Sequence, residues 1–92
     1  MIHDFKCKLT KELWEHGKSR KFNPFARAAM RKLSMLNAAI DLNDLRIPPG
    51  NRLESLTGDR SGQHSIRIND QYRICFIWRD SGADAIEIVD YH

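Results

Sequence analysis

Tyr72-Arg73-Ile74-Cys75-Phe76-Ile77-Trp78-Arg79 alternates without a break for eight residues. Tyr72, Ile74, Phe76 and Trp78 share one side, and Arg73, Cys75, Ile77 and Arg79 the other. A period of two predicts a strand, and the aromatic and β-branched content suits a pleated, half-buried surface. Turn sequences bound it: Asn69-Asp70 before and Asp80-Ser81-Gly82 after. Two more alternating stretches lie beyond those turns, His64–Ile68 and Ala85–Tyr91. Connections this short leave only antiparallel pairing. Residues 52–57 predict a further strand, closed by a turn over Thr57–Gly62.

Upstream of Ile47-Pro48-Pro49-Gly50 the period changes. Phe25, Ala29, Leu33, Leu36 and Ile40 recur at helical spacing and predict an amphipathic helix from about 24 to 42. Asn23-Pro24 reads as its N-cap and first residue. A shorter helix, roughly one and a half turns, is expected between a Thr10 cap and Gly17. Residues 2–7 read as a short strand. The expected fold class is α+β: an N-terminal strand and a two-helix hairpin packed on a curled antiparallel sheet of three to five strands. Residues 1–92 form one domain in this reading, since 92 residues leave no room for a second.

Hydrophobic residues make up 41% and charged residues 29% of the chain, a folded balance that argues against disorder. No run approaches the length of a membrane-spanning helix, so no membrane is expected. The first residues lack the apolar stretch of a secretion signal. Two cysteines, Cys7 and Cys75, are too few for a disulfide framework or a zinc cluster. A cytoplasmic location is the simplest expectation.

The net charge of +3 conceals an asymmetry. Residues 1–32 hold nine basic side chains against three acidic ones, whereas residues 33–92 hold six against nine. A basic third on a small protein suits a polyanion, because each neutralised phosphate releases a counterion. Lys6, Lys8, Lys18, Arg20, Lys21, Arg27 and Arg31 are the candidate contacts, although a solvated helical face accounts for them equally well. The six basic residues of the second part are all arginine, whose planar fork suits phosphate.

Two places could carry chemistry. Arg73 projects from the side opposite the apolar face of its strand, and needs a partner there. Asp90, Glu87 or a bound anion could serve. The chain closes on Asp90-Tyr91-His92. His92 has an ordinary pKa of about 6.5 and can act as acid or base near neutrality. With the terminal carboxylate beside it the protonated form is favoured, which suits a general acid. The alternative is that Tyr91 plugs the core and His92 frays. Cleaving RNA by attack of a ribose 2′-OH needs a base, an acid for the leaving oxygen and a cation for the phosphoryl charge. Tyr, His and Arg can fill those roles. No glycine-rich phosphate loop, nucleophile elbow or metal-ligand spacing is present, so neither a metal nor a cofactor is expected.

Asn51-Arg52-Leu53-Glu54-Ser55-Leu56-Thr57-Gly58-Asp59-Arg60, the Gly62–Asn69 stretch with its Ser65-Ile66-Arg67-Ile68-Asn69, Tyr72-Arg73-Ile74-Cys75-Phe76 and the closing Asp90-Tyr91-His92 together resemble the HigB branch of the RelE superfamily. These are toxins of bacterial type II toxin–antitoxin pairs, also called plasmid-maintenance killer proteins. The resemblance covers essentially the whole chain. It implies a RelE-like fold and a ribosome-dependent, metal-independent endoribonuclease that cuts mRNA in the A site of the 70S ribosome. It also implies a HigA-like helix-turn-helix antitoxin, through which the pair binds promoter DNA. By position Arg73 matches the phosphate-stabilising arginine, and Asp90, Tyr91 and His92 match the terminal catalytic group. Glu54 stands where relatives carry a histidine, and Thr57 where they carry a lysine. Glu54 could replace the imidazole as base, and Arg60 is a further candidate RNA contact. Two other readings have their own signatures. A non-catalytic ribosome-binding inhibitor depends on the basic face but not on Arg73 or His92, and a gyrase-poisoning relative triggers an SOS response without cutting mRNA.

Overall fold

The computed structural model describes residues 1–91. Two helices, α1 (Lys8–His16) and α2 (Ala26–Ala38), precede four strands: β1 (Glu54–Ser55), β2 (His64–Arg67), β3 (Tyr72–Arg79) and β4 (Gly82–Asp90). The strands form one antiparallel sheet in the order β1-β2-β3-β4. The α+β expectation therefore holds, and β3 has the limits that its alternation predicts. Leu13, Phe22, Leu33, Leu36 and Leu45 from the helical side meet Ile66, Ile74, Phe76 and Ile86 from the sheet in one fully buried cluster. The opposite side of the sheet is open in that the two helices pack on the other. It carries Ser65, Arg67, Arg73 and Glu87, with Ser65 and Arg73 buried beneath loops and neighbouring side chains.

β4 contains one more residue than β3 requires. Cys75 pairs with Glu87 but Ile77 pairs with Asp84, three steps against two, and Ala85 takes a left-handed φ of 50° at the bulge. The extra residue lets Ala83 and Ile86, at odd spacing, both reach the core. It also explains the N-terminal segment. Ile2 and Phe5 make isolated parallel bridges to Ala83 and Ile86, each pair three residues apart, in place of the regular strand expected over 2–7. Gly82 is required where this segment crosses, because a Cβ there would lie 2.6 Å from the Met1 carbonyl oxygen.

The helix boundaries differ from the sequence reading for identifiable reasons. α1 starts before Thr10 and runs nine residues. Thr10 is fully buried, and its Oγ1 accepts the backbone N–H of Ile88 at 3.1 Å. It ties helix to sheet and does not cap. Gly17 ends the helix in the left-handed region, at φ 74°. Asn23-Pro24-Phe25 forms a 3₁₀ turn ahead of α2, and Asn23 Oδ1 accepts from the Ser19 amide at 3.1 Å. α2 stops at Ala38, so Ile40 falls beyond the buried stripe and is 78% exposed. Asp41 and Asp44 form a capping box that opens a 3₁₀ turn over Leu42–Arg46, and Leu45 takes up the core position. Backbone hydrogen bonds hold the Asp44 carboxyl below its ordinary range. Of the strand expected over 52–57, only Glu54 and Ser55 pair. No helix among the described residues is long and apolar enough to cross a membrane.

Candidate functional site

On the open side of the sheet the register aligns Glu54, Ser65, Cys75 and Glu87 in one row across all four strands. Arg67, Arg73 and Val89 form the next row. Arg73 is 7% exposed, so its guanidinium must be satisfied internally. Its Nε donates to Ser65 Oγ at 2.8 Å, and its Nη2 donates to the carbonyls of Arg52 (2.6 Å) and Ser65 (3.4 Å). Among the described residues, the carboxylate paired with it is Glu54, at 3.7 Å. Of the two acids proposed from the sequence, Glu87 is engaged elsewhere. It accepts from Arg60 at 2.7 Å and lies 3.8 Å from Lys6. The sequence reading offered Arg73 an acid or an anion as partner, and could not see that the Arg52 loop supplies a backbone acceptor.

Arg60 also donates to Gln63 Oε1 at 3.1 Å, and its hydrogen bond to Glu87 raises its pKa above the ordinary arginine range. Between these groups lies Cys75, fully buried. Burial pushes its thiol above the usual 9.0, against the pull of Arg60, Arg73 and Lys6.

Tyr91 lies just past β4, its amide donating to the Gln71 carbonyl at 2.6 Å. Its ring centroid is 5.6 Å from Arg73 Cζ, within cation–π range. Asp90 pairs with Tyr72, and its Oδ2 accepts from Gln71 Nε2 at 3.0 Å. Strand alternation thus separates the closing group: Tyr91 joins Arg73, while the Asp90 carboxylate is held by the β2–β3 turn. His92 lies outside the described residues. The Tyr91 ring borders two hollows. One, about 240 Å³, is lined by Arg52, Arg67, Asn69, Asp70 and Arg73. The other, about 550 Å³, is lined by Arg60, Val89 and Asp90. Among the described residues no three His, Cys, Asp or Glu side chains gather as a metal site.

This side of the sheet, with a buried arginine under a tyrosine and a rim of arginines, is set by segments spanning residues 51–91, and the match to known proteins covers those and more. Residues 3–92 match the family described as RelE-like toxin of type II toxin-antitoxin system HigB. The chain belongs to the HigB-like toxins. It is 45% identical over 85 residues to Toxin HigB-1 of Vibrio cholerae serotype O1, covering 90% of each chain. An uncharacterized protein of Haemophilus influenzae is 43% identical over 51 residues, 55% of this chain and 50% of that one. In fold the HigB-like chain is similar to toxin–antitoxin structures of YoeB-YefM from Staphylococcus aureus. One has a TM-score of 0.63 at 21% identity and another 0.61 at 19%, each covering 100% of this chain and 98% of that one.

The basic residues of this HigB-like toxin do not converge on the arginine site. Lys8, Lys18, Arg20, Lys21, Arg27 and Arg31 are exposed across the helical layer. Lys18 and Arg20 border a hollow with Glu12 and His16, and Arg27 and Arg31 border another beside Gly17 and Met30. Lys21 lies 5.7 Å over the Phe22 ring. Of the RNA contacts proposed from the sequence, Lys6 and Arg60 reach the open side of the sheet, through Glu87. Sequence reasoning missed Arg52 and Arg67. The placing of Arg67 and Arg73 on either side of the Asn69-Asp70 turn was the available signal, although the register that sets them opposite one another comes from the turn's hydrogen bonds.

Proposed function

We propose that this toxin is a ribosome-dependent, metal-independent endoribonuclease, cutting mRNA in the ribosomal A site by attack of a 2′-OH on the adjacent phosphorus. One observation carries the reading. A buried guanidinium, fixed by three internal acceptors, lies beside a partly exposed tyrosine at the margin of an open sheet face. A cation so constrained is preorganised for charge developing on phosphoryl oxygens, and needs no rearrangement when that charge appears.

In this mechanism Arg73 stabilises the phosphoryl charge. Tyr91 positions the 2′-OH and helps remove its proton. His92 is the general acid for the leaving 5′-oxygen. Asp90 orients its neighbours through the Gln71 contact. Glu54, half exposed and 3.7 Å from Arg73, is the secondary candidate for the base. The helical-layer cations Lys8, Lys18, Arg20, Lys21, Arg27 and Arg31, with Lys6 and Arg60, hold ribosomal RNA. Residues 1–92 act as one domain in the bacterial cytoplasm. The partner is a HigA-like helix-turn-helix antitoxin that carries the pair to promoter DNA. The YoeB structures, solved with the YefM antitoxin, support such a partner in kind.

The test maps mRNA 5′ ends shortly after induction of the wild type, R73A and H92A. Cuts inside reading frames that require translation and disappear in both variants are expected. Losing a preorganised charge-stabilising group costs about 10²–10³ in kcat. Growth arrest with intact mRNA overturns the nuclease reading.

A further inference from the structure

We infer that Arg52 and Arg67, which line the hollow beside Arg73, form a second phosphate subsite that holds a phosphodiester of the RNA strand neighbouring the one under attack at Arg73. This rests on the nuclease reading for the identity of the strand, but its charge argument is independent.

Arg67 and Arg73 are direct cross-strand partners on the open side of the sheet. Like charges placed so destabilise a sheet, and an apolar or opposite-charge pair is the ordinary choice there. Arg52 adds a third guanidinium from a backbone at φ 47°, a conformation unfavourable for any residue with a Cβ. That conformation does two things at once. It aims the Arg52 carbonyl at Arg73 Nη2 and leaves the Arg52 side chain on the rim of the same hollow. Three cations and a strained backbone in a space of about 240 Å³ form an arrangement that an anionic ligand stabilises.

The internal counterions are weak. Asp70 pairs with Arg67 from a fully exposed position, and Glu54 faces Arg73 from a half-exposed one. Ion pairs this open contribute little and yield to a better acceptor. Positive charge extends past the hollow: burial and the charges of Arg31 and Arg67 hold the Lys32 ammonium below its ordinary range. Asn69 accepts from the amides of Gln71 and Tyr72, which fixes the turn that frames the hollow and the end of β3 that presents Arg73. Guanidinium forks match phosphate oxygens two at a time, so a phosphodiester is the anion that this lining fits. The Tyr91 ring divides this hollow from the one beside Arg60. A strand crossing the ring therefore places successive units on its two sides.

Two arms test the subsite, using R52Q and R67Q, whose side chains lie at the surface. In the first, translating ribosomes carry A-site mRNA with a single uncharged methylphosphonate linkage, placed in turn on either side of the cleaved bond. For wild type, one flanking position is expected to raise KM about 10-fold, as expected from losing a good arginine contact. Each variant is expected to show that loss on all-phosphate mRNA and none further with the neutral linkage. In the second arm the isolated toxin is titrated with a 2′-O-methyl RNA trinucleotide, which cannot be cut. The Nε signals of Arg52 and Arg67 are expected to shift, and R67Q to lower the salt slope of binding by about one. If the trinucleotide binds so but wild type cuts no mRNA, the nuclease reading fails and the subsite stands. If wild type cuts mRNA while both variants match it in KM and salt slope, the subsite is overturned.

Discussion

Arg73 Nε and Ser65 Oγ are 2.8 Å apart on a diagonal of the β2–β3 pair, because the direct partner of Arg73 is Arg67 and that of Ser65 is Cys75. Ser65 is fully buried. The hydroxyl therefore sets where the guanidinium points.

S65A is expected to lower the unfolding free energy by about 1–3 kcal/mol, the cost of leaving a buried donor unsatisfied. Cleavage should lose about 10²-fold in kcat with little change in KM, since a small misplacement of a stabilising cation acts on the transition state. S65T restores the hydroxyl on a strand-compatible side chain and should recover most of both. Urea unfolding beside cleavage kinetics reads the two effects separately. Wild-type kcat in S65A would show that Ser65 does not position Arg73.

Tyr91 offers a ring and a hydroxyl, and substitution separates them. The ring lies within cation–π distance of Arg73, so Y91F keeps that contact and loses the oxygen. With a hydroxyl that helps move the 2′-OH proton, cleavage should fall about 10²-fold in Y91F while the fold is unchanged. Y91A should fall further, because Arg73 then loses its covering ring as well. Equal cleavage by Y91F and wild type removes the proton role and leaves Tyr91 as a stacking group.

Much of this arrangement was legible in the sequence, and the rest was hidden for physical reasons. The β3 alternation set its limits and both its faces, because a strand buried on one side leaves few registers open. Arg73 and Tyr91 were singled out and do come together. Thr10 was misread because a threonine near a helix start looks like a cap, whereas its partner, the Ile88 amide, is 78 residues away. Ile40 was misread because a 3.6-residue period does not say where a helix stops, and the Asp41–Asp44 box decided that. The Arg67–Arg73 pairing was not drawn, since register across a turn depends on its hydrogen bonds. The bulge at Ala85 was invisible for the same reason, and it governs how the N-terminal segment docks.

The helix–sheet tie through Thr10 gives a stability expectation far from the arginine site. T10V keeps shape and removes the acceptor of the buried Ile88 amide, so the loss should be about 1–3 kcal/mol in urea unfolding. T10S keeps the hydroxyl and sheds one methyl group, a loss of about 1 kcal/mol. Hydrogen exchange at the Ile88 amide should quicken in T10V and hold in T10S. The reverse order of the two variants would show that the methyl, and not the hydroxyl, supports the contact.

Cys75 links pH to stability at the centre of the open face. Its thiol is pushed up chiefly by burial, helped by Glu87 and opposed by Arg60, Arg73 and Lys6. The folded-state value is thus above the unfolded one. The unfolded chain loses this proton first, so the contribution is whole below the ordinary thiol range, near 9.0, and fades as pH rises through the folded value. At pH 8 iodoacetamide should modify the half-exposed Cys7 well before the buried Cys75, read by peptide mass. Between pH 8 and 10 the wild type should lose stability in urea unfolding, and C75A should lose measurably less over the same interval. C75A carries its own cavity penalty at both values, so the comparison rests on the change with pH and not on either absolute stability. Parallel pH profiles for the two proteins would place the alkaline sensitivity elsewhere, and rapid labelling of native Cys75 would show that the row from Glu54 to Glu87 opens far more readily than its burial implies.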